Sequence, residues 1–238
     1  MRYNFLIMAR LSISLLGPFQ VMLGGEPLTV FATDKVRALL AYLAVESDRP
    51  HRREALAGLL WPDQPERKAR HNVRQALAYL RQALGGGEND AFLIISRETV
   101  QFNTECDHWL DIAAFTALHN ACQDHRHRHQ ESCLPCTQRL EQAVELYRGE
   151  FLEHFFLPDS DTFEEWASLK REWLHRQMVA ALAHLANTYE RRGDVERTRR
   201  YAWQQVTLEP WREEAHRRLM RVLAASGQRS AALAQYEA

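Results

Sequence analysis

The chain has 238 residues, 46% apolar and 26% charged, with a formal net charge of −1. These values describe one large or two modest globular domains and exclude a disordered tail, a collagen-like chain and low-complexity sequence. No apolar run approaches the ~20 residues needed to span a bilayer, and Met1–Met8 has neither a long apolar core nor a small-residue cleavage site, so no membrane association and a cytoplasmic location are expected. Residues 10–31 read as short strands: Leu11, Ile13 and Leu15 alternate with Ser12 and Ser14, which predicts a half-buried strand, and Gly24-Gly25 marks a hairpin turn.

A first helix is expected from Thr33-Asp34, with Thr33 or Asp34 as cap and Val36, Leu39, Leu40, Leu43 and Ala44 on its inner face. A short second helix runs from about Arg52 to Leu60. Pro65 opens a third at its first turn, which continues to Leu84 and stops at Gly85-Gly86-Gly87. Two strands, 92–96 and 100–102, follow across the short link Arg97-Glu98-Thr99. Beyond Cys106-Asp107 the periodicity turns helical and stays so, which places a domain boundary near residue 105. The expected domains are therefore 1–104 and 105–238.

Three helices followed by a two-stranded hairpin is the winged helix-turn-helix arrangement, with the third helix as reader and the hairpin as wing. Charge supports it. Residues 49–84 hold eight basic and three acidic residues, net +5, whereas residues 88–172 hold seventeen acidic and seven basic, net −10. At ~100° per residue, Ala69, Val73, Ala76, Leu77, Leu80 and Leu84 share one stripe of the third helix. Arg67, His71, Arg74, Gln75, Ala78 and Gln82 share the opposite one, flanked by Lys68 and Arg70. Arg can donate two hydrogen bonds to guanine, Gln can pair with adenine, and Lys suits phosphate. Arg70, His71, Arg74 and Gln75 are assigned to bases or adjacent phosphates, and Arg67 and Lys68 to phosphates. Arg52 and Arg53 are backbone candidates, and Arg97 at the wing is placed for a minor groove or backbone. A solvated basic surface helix is the competing reading of the same face.

Several stretches carry a family resemblance. They are Leu15-Leu16-Gly17-Pro18-Phe19-Gln20-Val21, Lys35–Leu43, Arg53-Glu54-Ala55-Leu56 with Leu60-Trp61-Pro62, Val73–Leu84, and Glu141–Leu152. Together they resemble the Streptomyces antibiotic regulatory protein family, in which a response-regulator-type winged helix precedes a helical bacterial transcriptional activator domain. The resemblance covers nearly the whole chain. It implies a sequence-specific activator that binds promoter repeats in double-stranded DNA and contacts RNA polymerase. Larger members add an ATPase and a sensor region. Neither is visible here, and no Gly-rich phosphate loop ending in Lys-Ser/Thr occurs.

In the helical half, Leu185, Tyr189, Gly193, Asp194, Thr198 and Ala202 recur 34 residues later as Leu219, Leu223, Gly227, Gln228, Ala232 and Tyr236. That is the tetratricopeptide period. The expected fold is thus multidomain: an α+β winged helix-turn-helix followed by an all-α tetratricopeptide-like repeat. Such repeats stack into surfaces for homodimerisation or protein contacts, and the last unit stops in mid-helix, as if continued. A protein–protein adaptor without specific DNA binding is the alternative function. Cys122, His125, His127, His129, Cys133 and Cys136 crowd one segment. Because one C-x-x-C in a His-rich loop does not fix the remaining ligands, zinc and a redox pair are weighed below a polar loop. No metal, cofactor or enzyme activity is assigned.

Overall fold

The computed structural model describes residues 10–85, 92–126 and 133–237. Over these residues the chain forms two compact units, one from Met1–Ala114 with Arg148–Glu172, the other from Phe115–Tyr147 with Trp173–Ala238. Gly86, Gly87, His127 and His129 lie outside the described residues. No described helix is long and apolar enough to cross a membrane.

The first unit opens with β1 (Leu11–Ser14), β2 (Gly17–Pro18), β3 (Gln20–Leu23) and β4 (Glu26–Pro27). β3 runs antiparallel to β1, with Leu11 opposite Leu23, and to β4. Gly24 and Gly25 turn between β3 and β4 with φ of +60° and +86°. A two-residue hairpin turn of this hand needs positive φ at both positions, which glycine adopts without strain. The expected alternation in β1 does not translate into alternating burial: Ser12 and Ser14 are buried along with Leu11 and Ile13. The reason is that β1 is an interior strand of the sheet, covered on both faces.

Helix α1 (Asp34–Val45) buries Val36, Leu39, Leu40, Leu43 and Ala44, as its spacing predicts. Thr33 occupies the cap position, but its side chain makes no capping bond, and Asp34 instead pairs with Arg37 at 3.0 Å. Next come β5 (His51–Arg52), α2 (Arg53–Leu60) and α3 (Glu66–Ala83), which Pro65 precedes as its cap residue. The hairpin is β6 (Leu93–Ile95) and β7 (Thr99–Phe102), turned by Ser96-Arg97-Glu98. Ser96 Oγ accepts from the backbone N–H of Glu98 and of Thr99, which closes that turn. β5 adds antiparallel to β7, giving a three-stranded sheet in the order β5-β7-β6.

The expectation of helices alone after residue 106 needs correcting. β8 (His108–Leu110) pairs parallel with β1 and completes the sheet β4-β3-β1-β8. After α4 (Asp111–Gln123) and α5 (Leu134–Leu146), β9 (Phe151–Glu153) pairs parallel with β2. These strands bring Glu105–Ala114 and Arg148–Glu172 into the first unit, so its limits differ from the boundary expected near 105. Asp111 is the tie. Its Oδ2 accepts from the N–H of Leu15 and of Leu16, each at 2.8 Å, and its Oδ1 from Ile112 N–H at 2.8 Å. The Arg148 guanidinium lies 3.6 Å from Oδ2. Burial nevertheless pushes this carboxyl above its ordinary range, against the pull of the N–H donors and Arg148.

Helix α6 (Asp161–Arg191) supplies Asp161–Glu172 to the first unit and Trp173–Arg191 to the second. The second unit continues with α7 (Val195–Leu208), α8 (Glu213–Ala225) and α9 (Arg229–Glu237). The 34-residue repeat is visible in the turns. Gly193 and Gly227 have φ of +70° and +79°. Asp194 N–H donates to Tyr189 C=O at 3.0 Å, and Gln228 N–H to Leu223 C=O at 2.9 Å. This left-handed glycine closure satisfies carbonyls left open at a helix end. Leu185, Tyr189, Thr198, Ala202, Leu219, Leu223 and Ala232 are buried, but Tyr236 is 78% exposed where its counterpart Ala202 is fully buried. The last pair of equivalent positions therefore differs in environment. Arg218 is buried yet compensated by Glu190 at 3.2 Å, Glu214 at 3.3 Å and Gln205 at 3.4 Å.

Candidate functional site

α3 packs against α1 and α2. Ala69, Val73, Ala76, Leu77 and Leu80 are buried along it, and Leu84 just past its end. Burying this stripe fixes the rotation of the helix, and rotation decides what faces outward. Arg67, Lys68, Arg70, His71, Arg74 and Gln75 are all exposed, as are Ala78 and Gln82. The helical phase read from the sequence is thus the one observed.

The exposed side chains are not equivalent. Among the described residues, Arg67, Lys68 and Arg74 form no ion pair. Arg70 is compensated twice: its Nη2 lies 2.5 Å from Glu66 Oε1 and 3.5 Å from Glu54 Oε1. The Gln75 amide donates to the Tyr79 hydroxyl at 3.0 Å. Glu54 and Tyr79, both exposed, belong to this face and were not singled out from the sequence. The signal was present in part, since Tyr79 lies four residues after Gln75 and Glu66 four before Arg70, the spacing at which helical side chains meet.

Arg97 is exposed at the tip of the β6–β7 hairpin, and Arg52 is exposed in β5. Arg53 is placed differently from Arg52. Its Nη2 donates to Ser96 C=O at 2.8 Å, its N–H donates to Glu98 C=O at 2.9 Å, and its Nε is buried without a partner. Arg53 therefore joins the start of α2 to the hairpin turn that carries Arg97. Lys35 is also engaged internally. Its ammonium donates to Leu60 C=O, Asp159 C=O and Ser160 Oγ, and burial lowers its pKa despite the carboxylates of Asp159 and Asp63. It lines a cavity of about 450 Å³ with Trp61, Asp63, Lys68 and Asn72.

In the second unit, the cysteine-rich segment converges. His125 Nδ1 lies 3.1 Å from Cys136 Sγ and 3.4 Å from Cys133 Sγ. The buried Cys122 directs its thiol to Cys136 C=O at 3.6 Å. None of the four cysteines is in a disulfide. Burial, with Cys133 and Cys122 alongside, pushes the Cys136 thiol up to about 12.

Comparison with known proteins matches residues 110–238 to the family of the bacterial transcriptional activator domain. The transcriptional regulatory protein EmbR of Mycobacterium bovis (strain ATCC BAA-935 / AF2122/97) is 32% identical over 109 residues, covering 45% of this chain and 28% of that protein. EmbR of Mycobacterium tuberculosis (strain ATCC 25618 / H37Rv) matches to the same extent. The match thus spans little more than a quarter of the length of these relatives. The solved structure of Mycobacterium tuberculosis EmbR in complex with a low affinity phosphopeptide aligns with a TM-score of 0.69 at 24% identity, over 96% of this chain and 58% of that one. That likeness establishes the fold: a mixed α+β first part followed by helices.

Proposed function

The chain belongs to the bacterial transcriptional activator domain family, and from that premise we propose that it is a sequence-specific DNA-binding transcription regulator, an activator of the Streptomyces antibiotic regulatory protein type. In this reading α1–α3 and the β5-β7-β6 sheet are a winged helix-turn-helix. α3 enters the major groove, with Arg74, His71 and Gln75 toward base edges and Arg67, Lys68 and Arg52 toward phosphates. Arg97 in the wing contacts the flanking minor groove or backbone. Arg70 joins the bases or phosphates only after leaving Glu66 and Glu54. Arg53 positions the wing through the bond from its Nη2 to Ser96 C=O and reaches the DNA backbone with its remaining donors. The helices beyond residue 105 act as tetratricopeptide-like units for dimerisation or contact with RNA polymerase.

The observation that carries the reading is the rotation of α3: its apolar stripe is buried, and a cationic and amide stripe lies exposed along its whole N-terminal half. Selection of bound duplexes from a random pool tests it. A recovered motif, bound with an affinity that falls steeply with salt, is the expected result. No enrichment of any duplex refutes it.

An adaptor function is favoured by a different observation. Trp203, Trp211, Leu233 and Tyr236 are exposed large apolar residues on or beside α7 and α9. Tyr and Trp are enriched in protein interfaces relative to the rest of the surface. A chain that only tethers proteins binds no duplex, so the same selection separates the two readings.

A further inference from the structure

The cysteine-rich segment is not used by the DNA-binding reading, and its geometry is that of a metal site. In sequence the four groups are spaced C-x-x-H and C-x-x-C, as Cys122-x-x-His125 and Cys133-x-x-Cys136. In the structure Cys122 stands in the last turn of α4, His125 just beyond it, Cys133 at the cap of α5 and Cys136 in the first turn of α5. Two ligand pairs, each two residues apart and each at a helix end, is a recurrent way of surrounding Zn²⁺.

The distances can be checked against a tetrahedron. With Zn–S of ~2.3 Å and Zn–N of ~2.0–2.1 Å, its edges are ~3.6 Å for N···S and ~3.8 Å for S···S. The observed N···S separations are 3.1 and 3.4 Å. The ligand atoms of His125, Cys133 and Cys136 all lie within 4.8 Å of one another. The Cys122 thiol, which donates to Cys136 C=O at 3.6 Å, stands next to this group as the fourth candidate ligand. Cys122 and Cys136 also line a small cavity of about 150 Å³.

Cys133 and Cys136 sit at the N-terminal end of α5, where the helix dipole stabilises anions. Pro135 stands within the first turn of α5, where its missing N–H is not needed and its fixed φ holds the helix start. The guanidinium of Arg139 bonds Ala121 C=O at 3.2 Å, one residue before Cys122.

We propose that Cys122, His125 through Nδ1, Cys133 and Cys136 bind one zinc ion as a closed structural site. The four ligands leave no open position for substrate, so the ion is a staple and not a catalyst. It joins the end of α4 to the start of α5 across residues 127–132.

The test uses the untagged full chain. Elemental analysis after desalting is expected to give about one zinc per chain. Cobalt titrated into chelator-stripped protein is expected to give thiolate-to-cobalt charge-transfer absorption and the visible bands of a tetrahedral ion. His125→Ala and the pair Cys133→Ser with Cys136→Ser are expected to abolish both. Should the cysteine pair fail to fold, His125→Ala, checked for helix content by circular dichroism, carries the test alone. The double substitution His127→Ala with His129→Ala is expected to keep the metal. Zinc at background level after loading overturns the proposal. So does a Cys133–Cys136 disulfide in the intact mass of freshly purified protein, or metal lost on changing His127 and His129 but kept on changing His125.

Discussion

Replacing Arg74 and Arg70 separately by alanine distinguishes a reading face from a decorated surface. The two residues lie one helical turn apart on α3 and are both exposed, yet their electrostatic situations differ. Arg74 has no ion pair among the described residues. Arg70 is already compensated by Glu66 at 2.5 Å and Glu54 at 3.5 Å. Among the described residues, Arg52, Arg67, Lys68, Arg74 and Arg97 have no carboxylate partner. At ~0.9 counterions per neutralised phosphate, these cations give the plot of log affinity against log salt a slope of about −4.5 per chain. Arg74→Ala lowers the slope by ~0.9 if Arg74 holds a phosphate. If it reads a base, the slope barely changes and affinity for the selected duplex falls by ~1–3 kcal/mol, roughly 5- to 150-fold, with random duplex unaffected. Arg70→Ala is expected to cost less than ~1 kcal/mol, because the arginine must first leave two carboxylates of comparable worth. Glu66→Gln is expected to tighten binding by removing one of them. Fluorescence anisotropy on selected and scrambled duplexes across a potassium chloride series reads all of these quantities. A larger loss from Arg70→Ala than from Arg74→Ala, or binding indifferent to salt, refutes the reasoning.

Three further predictions concern stability. Leu77, 3% exposed beneath α3, is expected to cost ~2–5 kcal/mol when cut to alanine, and an unchanged thermal midpoint would contradict the helix phase. Asp111→Ala leaves the buried N–H groups of Leu15 and Leu16 without their acceptor, at ~1–3 kcal/mol each, so the first unit should unfold at much lower urea. Glu46 is subject to burial, which raises its carboxyl, but Lys170 at 2.7 Å and the Trp166 indole N–H at 2.9 Å outweigh it and hold the pKa below the ordinary value. A depressed carboxyl stabilises the fold above its unfolded pKa and loses that contribution as pH falls through the folded one. Glu46→Gln should therefore be less stable than the parent at pH 7, with the gap closing as pH falls through the folded pKa. A gap of the same size above and below that pKa would show that the charge plays no part.

How much of this was readable beforehand depended on element length. α1 and α3 repeat their apolar residues over three or more turns, so both their existence and their rotation follow from spacing. The glycines 34 residues apart foretold two turns of the same geometry, since only a left-handed residue closes a helix end in that way. β8 and β9 escaped because three residues cannot display a period, and their pairing partners lie about a hundred residues away. The burial of Ser12 and Ser14 depends on what covers the second face of β1, which the alternation of its own residues does not report. The ion pairs of Arg70 and the anchoring of Arg53 arise from contacts between elements, which periodicity does not report. The same holds for the gathering of His125 with Cys133 and Cys136. Spacing offered several histidines, and among the described residues it is His125 that the fold brings to the thiols.

The interrupted path of the chain through the first unit affects how a newborn molecule behaves. When residue 104 leaves the ribosome, α3 and its hairpin are complete, but the Asp111 acceptor, β8 beside β1 and β9 beside β2 do not yet exist. The remaining stretch to Glu172 takes roughly 3 to 14 s to synthesise at ordinary elongation rates. Until residues 151–153 follow, β2 lacks its partner β9 and presents a bare hydrogen-bonding edge, open to mispairing with neighbouring nascent chains. Slow codons between 105 and 153 would lengthen this exposure, and brisk translation there would protect the yield of folded protein.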